Sequence, residues 1–295
     1  MRIPKGGIAF FDSGIGGLTV LNACKKVLPN EVFYYYGDNK HAPYGNLSEN
    51  KIKKYVARAF KRFQRLRVKA VVLACNTVTA VCVEKLREKY AFPIIGAEPA
   101  VLPAVKRGGE VLVLTTRATY ESVRFQHLLQ KAQALFPDAD IVARPCDGLA
   151  GAIEKNILDK QADYTPFLPR GEPTAVVLGC THYLFIAEQI RRFYGCPIFD
   201  GNEGIARRLR SLLDANQTRK IRLDPFRPPK DKKRLFSPSQ REKKGSETPR
   251  EKKSRRRNKK ERWLCIPLKE GGRGRIYFLG SGKKRCKHIN KQTFA

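Results

Sequence analysis

Two cysteines in this chain have near-identical surroundings. Ala70-Val71-Val72-Leu73-Ala74-Cys75-Asn76-Thr77 reads almost like Ala175-Val176-Val177-Leu178-Gly179-Cys180-Thr181-His182, 105 residues further on. If the two segments belong to similar halves that face each other, their thiols approach one small ligand from opposite sides. Inverting a stereocentre without a cofactor needs that geometry: a base removes a proton from one face and an acid returns one to the other. Cysteine serves in both roles, because its pKa of about 8.5 can be lowered by a helix N-terminus or a nearby imidazole. His182, two residues after Cys180, is a candidate tuner or proton partner.

A lone cysteine after a buried strand is usually a small core hydrophobe. Two of them at equivalent repeat positions, each followed by hydrogen-bonding residues, point toward function. Cys24, Cys82, Cys146, Cys196, Cys265 and Cys286 lack that context and read as structural. No C-x-x-C pair or zinc-ribbon spacing is present, so neither a metal site nor a disulfide framework is expected.

The elements that must hold these residues repeat too. Phe92-Pro93-Ile94-Ile95-Gly96 is echoed by Cys196-Pro197-Ile198-Phe199-Asp200, 104 residues on. Gly7-Ile8-Ala9-Phe10-Phe11 and Glu110-Val111-Leu112-Val113-Leu114 open the two units, 103 apart. Continuous apolar runs at 8–11, 71–74, 94–95, 111–114, 176–178 and 198–199 predict buried parallel strands. Glu49 to Phe63 has apolar residues at helical spacing, and Val83–Tyr90 and Ile186–Tyr194 predict helices as well. This is the grammar of an α/β fold: two pseudo-symmetric parallel-sheet domains facing each other. Active groups in such sheets gather beyond the carboxyl ends of strands, where Asp12, Cys75, Thr115, Cys180 and Asp200 fall. Asp12-Ser13-Gly14-Ile15-Gly16-Gly17 reads as a tight strand-to-helix turn whose N–H groups approach a small anion; it matches neither G-x-G-x-x-G nor a Walker loop.

The chain has 295 residues, 42% of them hydrophobic, enough for two modest domains. Its formal charge of +32 is uneven. Residues 1–218 hold 31 basic and 20 acidic side chains, whereas residues 219–295 hold 28 and 7. The stretch 219–262, with 20 basic and 6 acidic residues, reads as a solvated, disordered basic insert. A second function class follows from it: non-specific binding of a nucleic acid or anionic surface through residues 219–295. Base stacking is poorly supported, since only Phe226 and Phe236 interleave the insert. No apolar run approaches the roughly 20 residues that span a bilayer, and no secretory signal is visible, so a cytoplasmic location is expected.

Five segments in order carry a family resemblance: Asp12-Ser13-Gly14-Ile15-Gly16-Gly17-Leu18-Thr19-Val20, Tyr36-Gly37-Asp38, Ala42-Pro43-Tyr44-Gly45, Ala74-Cys75-Asn76-Thr77 and Leu178-Gly179-Cys180-Thr181-His182-Tyr183. Over about residues 7–213 the chain resembles the glutamate racemases of the cofactor-independent aspartate/glutamate racemase superfamily. The resemblance implies a discontinuous first domain (1–98, 205–218 and 263–282), a second domain (99–204), the insert at 219–262 and a basic tail at 283–295. It implies Cys75 and Cys180 as catalytic acid/bases, with Asp12 assisting Cys75, and His182 and Glu154 assisting Cys180. Substrate contacts carry over to Asp12, Ser13, Tyr44, Gly45, Asn76, Thr77, Thr181 and His182. The implied reaction interconverts L- and D-glutamate, supplying D-glutamate for peptidoglycan, with no metal, pyridoxal or nucleotide and commonly as a homodimer. A related racemase or isomerase acting on aspartate or another small acid is the nearest alternative. Arg117, in a loop that departs from the family pattern, is either a substrate contact or an exposed side chain.

Overall fold

A computed structural model of the chain describes residues 6–159, 161–223, 264–267 and 275–279. The first half runs β1 (Ile8–Asp12), α1 (Leu18–Val27), β2 (Val32–Gly37), α2 (Glu49–Arg65), β3 (Ala70–Leu73), α3 (Asn76–Lys89) and β4 (Ile94–Gly96). The second runs α4 (Val101–Val105), β5 (Glu110–Thr115), α5 (Arg117–Tyr120), α6 (Val123–Leu135), β6 (Asp140–Pro145), α7 (Leu149–Asn156), β7 (Ala175–Leu178), α8 (Ala187–Tyr194) and β8 (Ile198–Phe199). Then follow α9 (Asn202–Leu223), β9 (Leu264–Pro267) and β10 (Arg275–Leu279).

Each half builds a sheet of the same order. The first reads β4-β3-β1-β2 and continues into β10 and β9; the second reads β8-β7-β5-β6. Registers repeat as well, with Ile8 opposite Ala70 and Val111 opposite Ala175. Every pairing is parallel except that of β10 with β9. The cause lies in the apolar runs. In β1, β3 and β7 every residue is buried, which a parallel strand covered by helices on both faces requires. Helix α2 covers one face with Ile52, Val56, Ala59, Phe60 and Phe63, leaving its charged side to water.

Several elements were not evident from the apolar pattern. Strand β2, Val32-Phe33-Tyr34-Tyr35-Tyr36-Gly37, is nearly all buried, but its three tyrosines do not read as a hydrophobic run. Strand β6 is an edge strand with partly exposed residues and no continuous apolar signal. The helix expected at 83–90 starts earlier: α3 begins at Asn76, directly after Cys75. The helix expected from Ile186 is α8, preceded by a 3-10 turn over Thr181–Ile186.

The chain divides into two compact units, residues 1–212 with 263–295, and residues 213–262. Helix α9 runs to Leu223, into the first five residues of the expected basic insert. The rest of that insert and the tail at 283–295 lie outside the described residues. Among the described residues, no helix is long and apolar enough to cross a membrane.

Strand β10 lies parallel beside β2, with Phe278 fully buried and its ring 6.0 Å from that of Tyr35. Truncating such a ring leaves a cavity beside the strand that carries the site loop. Phe278→Ala is expected to destabilise the fold by about 3–5 kcal/mol, read from the urea midpoint at unchanged m-value. A midpoint equal to wild type would show that β10 contributes nothing to this sheet.

Candidate active site

The two sheets bring their strand ends together. Asp12 closes β1, Cys75 follows β3 and caps α3, and Cys180 follows β7. Both cysteines are buried, at 6% and 7% exposure, so the cleft is closed over its thiols. Cys75 Sγ lies 3.7 Å from Ser13 Oγ. Cys180 Sγ lies 3.8 Å from His182 Nδ1, whose other nitrogen, Nε2, is 2.6 Å from Glu154 Oε2. Sulfur, imidazole and carboxylate thus form one chain on the Cys180 side.

The seam between the halves is held by hydrogen bonds around two buried carboxylates. Asp12 accepts from Gly14 N at 2.9 Å and, across the seam, from Thr181 Oγ1 at 3.5 Å. Glu154, on α7 of the second half, accepts from Ile15 N at 3.3 Å and Asn39 Nδ2 at 2.9 Å, both from the first half. Thr77 Oγ1 meets Thr116 Oγ1 at 3.0 Å, a third crossing. Two glycines permit this approach. A Cβ at Gly14 would sit 2.4 Å from Glu154 Oε2, and one at Gly16 would sit 2.4 Å from Thr181 Oγ1 and 2.8 Å from His182 Nδ1.

Burial dominates the electrostatics. It pushes the Asp12 carboxyl up, ahead of the lowering influence of His182 and the Gly14 and Gly17 N–H groups. It pushes the Cys75 thiol up to about 12, helped by the charge of Asp12 and by Cys180 and opposed by the Val78 N–H and Ser13. This corrects the expectation that a helix N-terminus lowers this thiol: desolvation of the anion outweighs the α3 dipole. For His182, burial works against the charged ring, but its hydrogen bonds to Cys180 and Glu154 prevail and hold its pKa well above the ordinary value. These bonds favour the charged form of the ring beside Cys180.

The remaining expected contacts fall around this centre. Tyr44 is buried and donates its hydroxyl to Asp38 Oδ2 at 2.7 Å; burial and that bond hold its phenol far above the usual range. Gly45 packs against Thr116, where a Cβ would lie 3.0 Å from Thr116 Cβ. Asn76 Oδ1 and Thr115 Oγ1 are buried with no hydrogen-bond partner among the described residues. Thr115 closes β5 as Asp12 closes β1, so the repeat pairs a hydroxyl with a carboxylate. Arg117 is half exposed and forms ion pairs with Asp147 and Glu121, the exposed alternative of the two. Asp38 belongs to the Tyr36-Gly37-Asp38 segment of the resemblance, without a role assigned to it, and Asn39 has no sequence signal beyond standing next to that segment. Among the described residues, no group of three or more His, Cys, Asp or Glu side chains could hold a metal ion.

Comparison with known proteins agrees with this architecture. The model of the Asp/Glu/Hydantoin racemase family matches residues 19–209. A glutamate racemase of Clostridium novyi is 41% identical over 229 residues, covering 74% of this chain and 87% of that one. That of Clostridium acetobutylicum is 38% identical over 224 residues, covering 72% and 86%. Among solved structures, Escherichia coli glutamate racemase, in complex with L-glutamate and the activator UDP-MurNAc-Ala, superposes with a TM-score of 0.64 at 29% identity, covering 72% of this chain and 83% of its own. The chain belongs to this family of amino-acid racemases, among the glutamate racemases, and is an isomerase.

Two outcomes are expected. Gly16→Ala displaces Thr181 and His182 and should lower racemase turnover by roughly a hundred-fold with an unchanged circular dichroism spectrum; near-normal turnover would show that the seam tolerates a methyl group. For Cys75, a pKa of about 12 leaves roughly one thiol in ten thousand ionised at pH 8. Iodoacetamide should accordingly spare Cys75 at pH 8 in peptide mapping, and labelling as fast as an ordinary thiol would contradict the electrostatic account.

Proposed function

We propose that the chain interconverts L- and D-glutamate by a two-base exchange of the Cα proton between Cys75 and Cys180. The carrying observation is the pair of buried thiols at matching strand ends of two matching sheets, one near Asp12 at the end of β1 and the other near Glu154 on α7. Glutamate as substrate is supported by the Clostridium relatives' names and by solved neighbours in complex with L-glutamate or D-glutamate.

One cysteine, as thiolate, takes the Cα proton and becomes a thiol. The other, as thiol, delivers its proton to the opposite face and is left as thiolate. The reverse direction exchanges the roles, and solvent protons reset the pair. The thiolate has to form in a site that burial disfavours for it. On the Cys180 side the His182 imidazolium supplies the neighbouring positive charge. On the Cys75 side the substrate's own α-ammonium supplies it, beside the buried and unpartnered Asn76 Oδ1 that can accept its hydrogen. N–H groups at the start of α3 and of the Thr181–Ile186 turn stabilise the charge that develops on the α-carboxylate. Asp12 orients the Cys75 side; Glu154 fixes the His182 ring. Ser13, Tyr44, Gly45, Thr77 and Thr181 line the space for the two carboxylates.

The product enantiomer is proposed to serve peptidoglycan synthesis in the cytoplasm. The Escherichia coli neighbour is activated by UDP-MurNAc-Ala, an amino-sugar nucleotide already carrying an amino acid, which supports that reading.

Racemisation of each glutamate enantiomer in deuterated water tests the mechanism. Wild type should invert both with deuterium entering at Cα. Cys75→Ser and Cys180→Ser should each lose roughly a hundred- to ten-thousand-fold in kcat/KM. Inversion of aspartate in place of glutamate would overturn the substrate assignment, and full activity in either serine variant would overturn the two-thiol mechanism.

A further inference from the structure

The machinery on the Cys180 side is divided between the halves of the molecule. Cys180, His182 and Glu154 belong to the second half, yet Glu154 Oε1 accepts from Asn39 Nδ2 at 2.9 Å, and Asn39 belongs to the first. We propose that Asn39 is a positioning residue for one of the two proton transfers: it fixes the Glu154 carboxylate, through it the His182 ring, and so the proton at Cys180. The proposal rests on the two-thiol racemase reading above.

The loop that carries Asn39 is built to hold a position. Asp38 N donates to Asp12 O at 3.1 Å, which ties the loop to the end of β1. Asp38 Oδ2 is in turn held by Tyr44 OH at 2.7 Å and His41 Nδ1 at 2.8 Å. The His41 ring stacks on that of Tyr55, with centroids 3.9 Å apart. On its other side the loop meets the second half, since a Cβ at Gly151 of α7 would lie 3.6 Å from Pro43 Cγ. Asn39 therefore reaches Glu154 from a braced loop, and the bond it gives exists only while the halves are together.

A carboxylate facing an imidazole through one oxygen can still swing about its own axis. Glu154 uses Oε2 for His182 and for Ile15 N, and Oε1 for Asn39. The amide on the second oxygen removes that freedom, and it does so without adding charge. The loop meets the Cys75 side through the Asp12 backbone, to which Asp38 N donates, and not through the Asn39 amide. The Cys75 sulfur faces Ser13, and the carboxylate near it, Asp12, is held by Gly14 N and Thr181. Loss of the Asn39 bond thus slows transfer at Cys180 and leaves transfer at Cys75 intact.

Direction-specific kinetics distinguish this from a general loss of structure. L- and D-glutamate are equally stable, so a one-sided lesion must lower kcat/KM equally for both enantiomers. Primary isotope effects do not share that constraint. With [2-²H]glutamate, the effect on kcat/KM should rise for the enantiomer whose proton Cys180 removes. It should fall for the other, because reprotonation by Cys180 becomes limiting. Asn39→Ala is expected to lower kcat/KM by roughly ten- to a hundred-fold, the loss of one hydrogen bond to a charged group. Asn39→Asp, equal in volume, cannot donate while ionised and should show the same asymmetry. Ser13→Ala, which perturbs the Cys75 side, should show the opposite one. Isotope effects that change alike for both enantiomers in the Asn39 variants, with wild type active, would overturn the proposal and leave the racemase reading standing. A wild type that inverts neither enantiomer would overturn that reading and the proposal with it.

Discussion

Two carboxylates buried at the seam between the sheets set the terms for the rest of this structure. An ionised carboxylate taken out of water needs donors on its oxygens, or it stays protonated. Asp12 and Glu154 both find some of those donors in the opposite half. Thr181 reaches across to Asp12, and Asn39 and the Ile15 N–H reach across to Glu154. Neither half satisfies its own acid alone, so the electrostatics of the site hold the halves together. Outside the site, Arg124 on α6 adds to this by forming ion pairs with Glu84 on α3 and with Glu98.

The same seam explains why the internal symmetry is only partial. Strand order, register and cysteine placement repeat between halves. The supporting groups do not. The position held by Asp12 after β1 is held by Thr115 after β5, and the second carboxylate comes instead from α7. A pair of bases acting on opposite faces of one carbon needs equivalent sulfur positions. It does not need equivalent neighbours, because an asymmetric substrate presents different groups to its two sides. A histidine, His182, stands beside Cys180, whereas Cys75 faces Ser13.

This division marks what the amino-acid sequence made legible. Strands β1, β3, β5 and β7 announce themselves because burial on both faces forces a continuous apolar run, and the duplicated cysteine segments ride on them. Strand β2 is equally central but uses tyrosines, whose rings pack while their hydroxyls find partners, as Tyr35 does with Gly14 O at 3.0 Å. Glu154 carries no repeat signal, since nothing in the first half corresponds to it; only family resemblance pointed there. Asn39 left no signal beyond its neighbours, because its importance is a distance of 2.9 Å between residues 115 apart in the chain.

Burial raises the pKa of Cys75 and works against that of His182, which its hydrogen bonds to Cys180 and Glu154 raise instead. Exclusion of water penalises any isolated charge, so it holds the Cys75 sulfur as a thiol. At His182 the hydrogen bonds to Glu154 and Cys180 outweigh that penalty and favour the charged ring. A closed site of this kind keeps its thiol at Cys75 inert until a cation arrives next to it. In the proposed two-thiol exchange, an amino acid brings that cation as its α-ammonium, on the carbon whose proton is to be moved. Activation of the base then depends on the presence of the substrate, and a cleft that shuts its thiols away from water also shields them from the alkylation and oxidation that an exposed thiolate invites.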